Sequence, residues 1–455
     1  MLFPAHNPTR PQTFLVRSGS KRVPWCAVVL LLLMIATAAE DRETCQKAEG
    51  QAAVAACTAV ISSGQLQGHD LAAVYFSRAF NLNKLGEADR AIADYSEAIR
   101  LDPKYVVALN NRCAVYNAKH EHDRAIHDCE QALQLNPNYA NAYLGRANAL
   151  RNKGAYDQAI KDYEQVIRLD PKTAGGFFGR ALTLGAKGEY DRAIQDYSIV
   201  IERNPRDQVA LNNRGVLYEK IRNYDRAIRD FDGAIALNAK YDLALANRCL
   251  TLNRKRDFDR AIEDCNRAIE LNPRYATAYV TRGQSYQGKG DHPRAIEDFN
   301  RAIELNPGSA NAFYGRAFSH DSLGDSTGAI EDYSKVIELD PQSIGAWNGR
   351  CWARAVVGDL EKALEDCNRA LQMRPAYSNA LDSRGLVHLK MGKLDDAIAD
   401  YTSVLEFQQK NASSLYGRGI ANAKKGDEKA ARADIEAAKA IDADIEEDFK
   451  RYGVH

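Results

Sequence analysis

Residues 276–309 read ATAYVTRGQSYQGKGDHPRAIEDFNRAIELNPGS, and the arginine within this run, Arg282, returns every 34 residues along the chain. The series is Arg78, Arg112, Arg146, Arg180, Arg214, Arg248, Arg282, Arg316, Arg350, Arg384 and Arg418, eleven copies without insertion or deletion. Each is followed by a small residue, such as Gly283, Ala317 or Cys351. An alanine stands 13 positions after every arginine, from Ala91 to Ala431, and an aspartate 16 positions after it, from Asp94 to Asp434. A fixed period of this length marks one supersecondary unit stacked many times. A chain of 455 residues would otherwise divide into two or three globular domains, but a solenoid grows lengthwise without a deeper core.

Residues 106–139 show the local pattern of one unit. Leu109, Cys113, Ala114 and Tyr116 recur at helical spacing over 106–119. A turn is expected at 120–123, where other units carry a sequence such as Gly188-Glu189-Tyr190-Asp191, with glycine suited to the left-handed end of a helix. A second helix is expected from about Arg124 to Leu135, with Ala125, Ile126, Cys129, Ala132 and Leu133 on one face. Asn136-Pro137 ends it, because proline lacks an N–H and biases the residue before it away from the helix. Neither helix can bury its apolar face alone, so the units must stack.

The unit that begins at Ala276 resembles the tetratricopeptide repeat. Tyr279, Gly283, Tyr286, Ala295, Phe299, Ala302 and Pro307 stand where that family has a large residue, Gly or Ala, Tyr, Ala, an aromatic, Ala and Pro. The resemblance covers residues 72–445 and implies an all-α, right-handed superhelical solenoid of helix-turn-helix units. The family often has leucine where these arginines sit. Here arginine and aspartate come together in every unit, and residues 16 apart in an antiparallel hairpin can face each other. The expectation is a repeated, partly shielded ion pair, for example Arg214 with Asp230.

Outside the repeats, Lys21-Arg22, an apolar run from Trp25 to Ala36 and Ala36-Thr37-Ala38 have the layout of a secretory signal peptide over residues 1–38. The alternative is an uncleaved N-terminal anchor; either places the repeats outside the cytoplasm, in the periplasm or secreted, or held at the inner membrane. Residues 39–71 read as a shortened helical hairpin with a connector, residues 72–445 as the repeats, and residues 446–455 as a capping helix. Basic and acidic residues balance at 61 each, which argues against a nucleic-acid partner.

Eight cysteines remain outside the leader: Cys45, Cys57, Cys113, Cys129, Cys249, Cys265, Cys351 and Cys367. Six fall on two repeat positions, the small site after the arginine and the site 16 residues later, and they occur only together. If the helices approach closest at the small site, the two Cβ atoms reach bridging distance. With an export signal, this predicts disulfides Cys113–Cys129, Cys249–Cys265 and Cys351–Cys367, with Cys45–Cys57 closing the first hairpin. The alternative is volume compensation between a larger residue and a smaller one opposite.

No catalytic order, phosphate loop or nucleophile elbow occurs, so no enzyme, metal site or cofactor is expected. His120, His122 and His127 gather at one turn, which we read as solvated rather than metal-binding. In tetratricopeptide repeats, residues flanking the arginine position on the first helix line the groove. Mapped onto this chain, they are Asn110, Asn141, Asn148 and Asn152 in the first half, with Asn117 and Asn212, and Tyr314, Phe318, Trp352 and Leu386 in the second, with Val356, Leu389 and Ile420. The expected function is a non-enzymatic scaffold that holds a protein or peptide partner in that groove; the alternative is an assembly factor acting through its outer surface or self-association.

Overall fold

A computed structural model describes residues 40–454; the leader expected over residues 1–38 lies outside the described residues. Every regular element among the described residues is helical, and no helix is long and apolar enough to cross a membrane. Numbering the repeats 1 to 11 by their arginines, Arg78 to Arg418, each has a first and a second helix, and in every repeat but the fourth the two are seen packed on one another within one compact unit. Two compact units divide the chain after Gly188.

The first unit holds a helical stretch at residues 40–47, the helix Gly50–Ser62, repeats 1 to 3, and the first helix of repeat 4, Ala174–Lys187. The second holds the second helix of repeat 4, Tyr190–Arg203, repeats 5 to 11, and a short helix, Ile445–Arg451. Repeat 2 is representative, with helices Val106–Ala118 and His122–Leu135. The second helix thus begins two residues before the expected Arg124. Asp123 lies in its first turn, where a carboxylate faces unpaired N–H groups and favours the helix.

The turn between the two helices has a left-handed residue. Glycine takes it in most repeats, but His120, Arg222 and Arg256 adopt φ of 62°, 60° and 64°. Each costs roughly 1 kcal/mol relative to glycine. His120 is therefore placed by the turn, and His122 Nδ1 lies 2.8 Å from Asn117 Oδ1. Among the described residues no group of three or more His, Cys, Asp or Glu side chains is placed to hold a metal ion.

The small residue after the arginine marks the closest approach of the two helices. A Cβ added at Gly215 would lie 2.7 Å from the Phe231 ring, and one at Gly385 2.7 Å from Tyr401. Both contacts join residues 16 apart, and both aromatic rings are fully buried. The cysteine pairs occupy the same two positions. The Cα atoms of Cys249 and Cys265 are 5.5 Å apart and their sulfurs 2.04 Å apart; those of Cys113 and Cys129, and of Cys351 and Cys367, are 5.8 and 5.4 Å apart at Cα. Cys45 and Cys57 meet at a Cα separation of 4.7 Å.

The arginines do more than pair within their own unit. In ten repeats, Nε and Nη2 donate to both oxygens of the aspartate 16 residues on, at 2.6–2.9 Å. In repeat 4, Arg180 and Asp196 fall on opposite sides of the division after Gly188. The third nitrogen, Nη1, reaches back to the preceding second helix. It donates to Ser96 from Arg112 at 2.8 Å, to Asn266 from Arg282 at 2.6 Å and to Asn368 from Arg384 at 2.9 Å. One guanidinium thus joins the two helices of its own repeat and ties that repeat to the one before. The aspartates are nearly buried, so these pairs are better shielded than ordinary surface bridges. A second, exposed row runs along the turns, where Lys187 meets Asp157 and Lys255 meets Asp225 at 2.7 and 2.6 Å.

Candidate functional site

First helices of successive repeats touch one another along the second unit, so the residues flanking each arginine share a face. On that face, in repeats 8 to 10, lies a pocket of about 420 Å³. The helices Ala310–Ser322, Ile344–Val357 and Ser378–Lys390 supply most of its wall. Tyr314 and Phe318 come from repeat 8, Asn348 and Trp352 from repeat 9, and Asp382 from repeat 10. Tyr333, on the second helix of repeat 8, lies beneath, and its ring meets Tyr314 edge-on at 5.6 Å. Tyr377 and Asn411 close the far side.

The aromatic wall is open. Tyr314 is 39% and Phe318 49% exposed, high for side chains of this size. Gly345 and Gly349 let the tyrosine rings lie close against the first helix of repeat 9, where an added Cβ would come within 2.9 Å of Tyr314 and closer still to Tyr333. The polar groups are acidic or neutral. The lining holds two carboxylates, Asp321 and Asp382, and no lysine, arginine or histidine.

Burial pushes the Asp321 carboxyl up to about 7, against a hydrogen bond from the Tyr333 hydroxyl that favours the charged form. Tyr333 is itself raised well above the usual phenol range, chiefly by burial. Burial also raises Asp382, which accepts hydrogen bonds from Ser413 at 2.9 Å and from Ser414. The Asn348 Oδ1 is enclosed and has no hydrogen-bond partner in the protein.

A comparison along the same face explains the unusual state of Asp321. It stands five residues after its arginine, and Glu219 holds the same place in repeat 5. Glu219 is buried but is met by Arg254, 35 residues on. The residue 35 after Asp321 is Val356, which brings no charge.

Of the seven groove residues expected in the second half, Tyr314, Phe318 and Trp352 meet at this pocket. Leu386 does not; it is 1% exposed and lies in the core. That core also holds Ile445, Phe449 and Val454. Phe449 packs on Tyr416 at 4.9 Å and Tyr452 on Trp352 at 4.8 Å, while Lys390 Nζ donates to the Tyr452 and Ala355 carbonyls, each at 2.6 Å. Residues 445–454 thus pack into the same buried cluster as Leu386 and Leu389, with Tyr452 against Trp352 of the pocket wall.

In the first unit, the asparagines expected on the groove partly engage each other. Asn152 donates to Asn117 at 3.2 Å, Asn110 to Asn111 at 3.4 Å, and Asn148 accepts from the Tyr163 hydroxyl at 2.7 Å. Asn141 and Asn152 are exposed. In the second unit Asn212 is buried and accepts from Asn247 at 3.0 Å.

Sequence reasoning missed both acids. Their signal was nonetheless present. Among residues two before the eleven arginines, Asp382 is the one acid; among residues five after, only Glu219 and Asp321 are acidic.

Family models described as tetratricopeptide repeat match residues 72–105, 106–139, 140–173, 178–242, 243–275 and 280–344, and one described as TPR repeat matches 385–426. Among solved structures, a tetratricopeptide repeat protein from Parabacteroides merdae ATCC 43184 is 21% identical, with 54% of this chain and 97% of that one covered and a TM-score of 0.45. The APC/C hetero-tetramer Cut9-Hcn1 is 16% identical over 78% of this chain and 77% of that one, with a TM-score of 0.47. YrrB, described as a TPR protein with an unusual peptide-binding site, is 21% identical over 41% of this chain and 97% of that one, with a TM-score of 0.37. No curated protein matches the sequence.

Proposed function

Because this chain belongs to the tetratricopeptide repeat family, we propose that it is a non-enzymatic protein–protein interaction scaffold that works outside the cytoplasm and holds a peptide or helix against the first-helix face of its repeats. The observation that carries this reading is the open aromatic pocket in repeats 8 to 10, where Tyr314 and Phe318 stay exposed although the same helix buries Phe313. A wall of that kind is what a partner's side chains fill, and it would otherwise cost solvation. The arginine staple, shared by the repeats, maintains the scaffold; selectivity belongs to positions where the repeats differ.

The location outside the cytoplasm is supported by the leader composition and by the cysteine pairs, which need an oxidising compartment to persist as disulfides. The test is co-purification from the native compartment with the wild-type chain and with Phe318→Ala/Trp352→Ala. Loss of a bound protein while helicity and oligomeric state are unchanged supports the reading. Retention of the same partners by the variant would transfer the interaction to the outer surface.

A further inference from the structure

The pocket in repeats 8 to 10 combines open aromatic faces with carboxylates that the protein does not neutralise. Asp321 and Asp382 are shielded, and neither has an ion-pair partner among the described residues. Elsewhere on the same face the chain neutralises a buried acid with its own arginine, as Arg254 does for Glu219. At Asp321 that position is Val356. The two carboxylates accept only from neutral hydroxyls, Tyr333 for Asp321 and Ser413 and Ser414 for Asp382, and the enclosed Asn348 Oδ1 adds an acceptor that has no donor at all. A buried acceptor without a donor is costly, and a shielded carboxylate without a cation more so.

The matching ligand must bring several N–H donors, a positive charge and a flat face. An arginine side chain has all three: its guanidinium donates in a planar fork, pairs with carboxylates and stacks on aromatic rings. The wall has Tyr314, Phe318 and Trp352 for stacking, and the acids for pairing. We propose that this pocket recognises an arginine side chain of a partner peptide lying on the first-helix face, with the guanidinium against the aromatic wall and paired to Asp321 and Asp382. The inference rests on the peptide-scaffold reading above and adds the chemistry that the partner must present.

The test begins with a random peptide library displayed on phage and selected against the full chain. The best peptide is then measured by fluorescence anisotropy, along with its arginine-to-citrulline form, which keeps the shape and loses the charge. Arginine should be enriched at one position, and citrulline should weaken binding about 30-fold, the scale of one shielded charge pair near 2 kcal/mol. Asp321→Asn should weaken the arginine peptide and shrink the difference between the two forms; Phe318→Ala, which leaves the acids in place, should weaken both. Circular dichroism and melting check that each variant is folded. Peptides selected without an arginine position, or citrulline binding within about 3-fold of arginine, would overturn this inference and leave the scaffold reading standing. Absence of any selected peptide would overturn both.

Discussion

Removing one aspartate of the staple tests what holds the repeats together. In repeat 5, Arg214 donates to Asp230 through Nε at 2.8 Å and Nη2 at 2.7 Å, and through Nη1 to Ser198 at 3.0 Å. The side chains retain 19% and 9% exposure. Asp230→Ala deletes two charge-assisted hydrogen bonds and leaves a shielded guanidinium with one neutral acceptor. Full burial would set the loss at about 3–5 kcal/mol, and the residual exposure of Arg214 lowers it to about 2–3 kcal/mol. Ser198→Ala removes only the arm to the neighbouring repeat and should cost about 0.5–1 kcal/mol. Arg214→Leu/Asp230→Leu removes both charges and should recover most of the loss, because an apolar pair of similar volume often replaces a buried ion pair at little cost. Urea unfolding followed by circular dichroism gives the totals. Hydrogen exchange should place the loss in repeats 4 to 6, since a solenoid couples nearest neighbours. A cost for Asp230→Ala below about 0.5 kcal/mol would show the pair to be an ordinary surface bridge and refute the reasoning.

Other outcomes follow from the same geometry. Protein recovered from its native compartment should show no free thiol among the eight paired cysteines by intact mass, and Cys249→Ser/Cys265→Ser should lower stability by about 3 kcal/mol for a loop of this length; free thiols would remove the argument for an oxidising compartment. Asp321, raised to about 7, holds its proton more tightly when folded than its ordinary value near 3.9 allows when unfolded. Its contribution is therefore present below about pH 4 and lost as pH rises through about 7, so Asp321→Asn should melt above wild type at pH 8 and lose most of that advantage by pH 5. The groups facing it are Tyr333, which titrates far higher, and Asp325, paired with His320 at 2.8 Å; equal melting at both pH values would contradict the assignment. Phe449→Ala should cost about 3 kcal/mol and speed hydrogen exchange around Leu386, because the ring is buried on repeat 11.

Much of this architecture is readable in one dimension because it repeats. The 34-residue period fixes the helices, and the spacing of 16 names both the ion pairs and the cysteine pairs. The second arm of the staple was equally visible, since the residue 18 after each arginine is Ser, Thr, Asn, Asp or Glu in every unit, as at Ser96, Asp232 and Asn266. Reading one unit at a time hides it, because the bond joins neighbours. Leu386 shows the opposite limit. It has the register of a groove residue, but it is buried in one cluster with Ile445, Phe449 and Val454, from a segment that contacts Lys390 across 62 positions. No local pattern encodes that contact. The pocket stands between these cases: its aromatic wall follows from register, whereas the isolation of Asp321 depends on a comparison of Val356 with Arg254.

The most direct test of the central claim is hydrogen exchange of the full chain with and without a peptide selected to bind it. A scaffold that binds on its first-helix face should gain protection in 310–322, 344–357 and 378–390, while the second helices of the same repeats, Ser326–Leu339 and Leu360–Met373, stay unchanged. Protection confined to those second helices, with the first helices unchanged, would contradict the account.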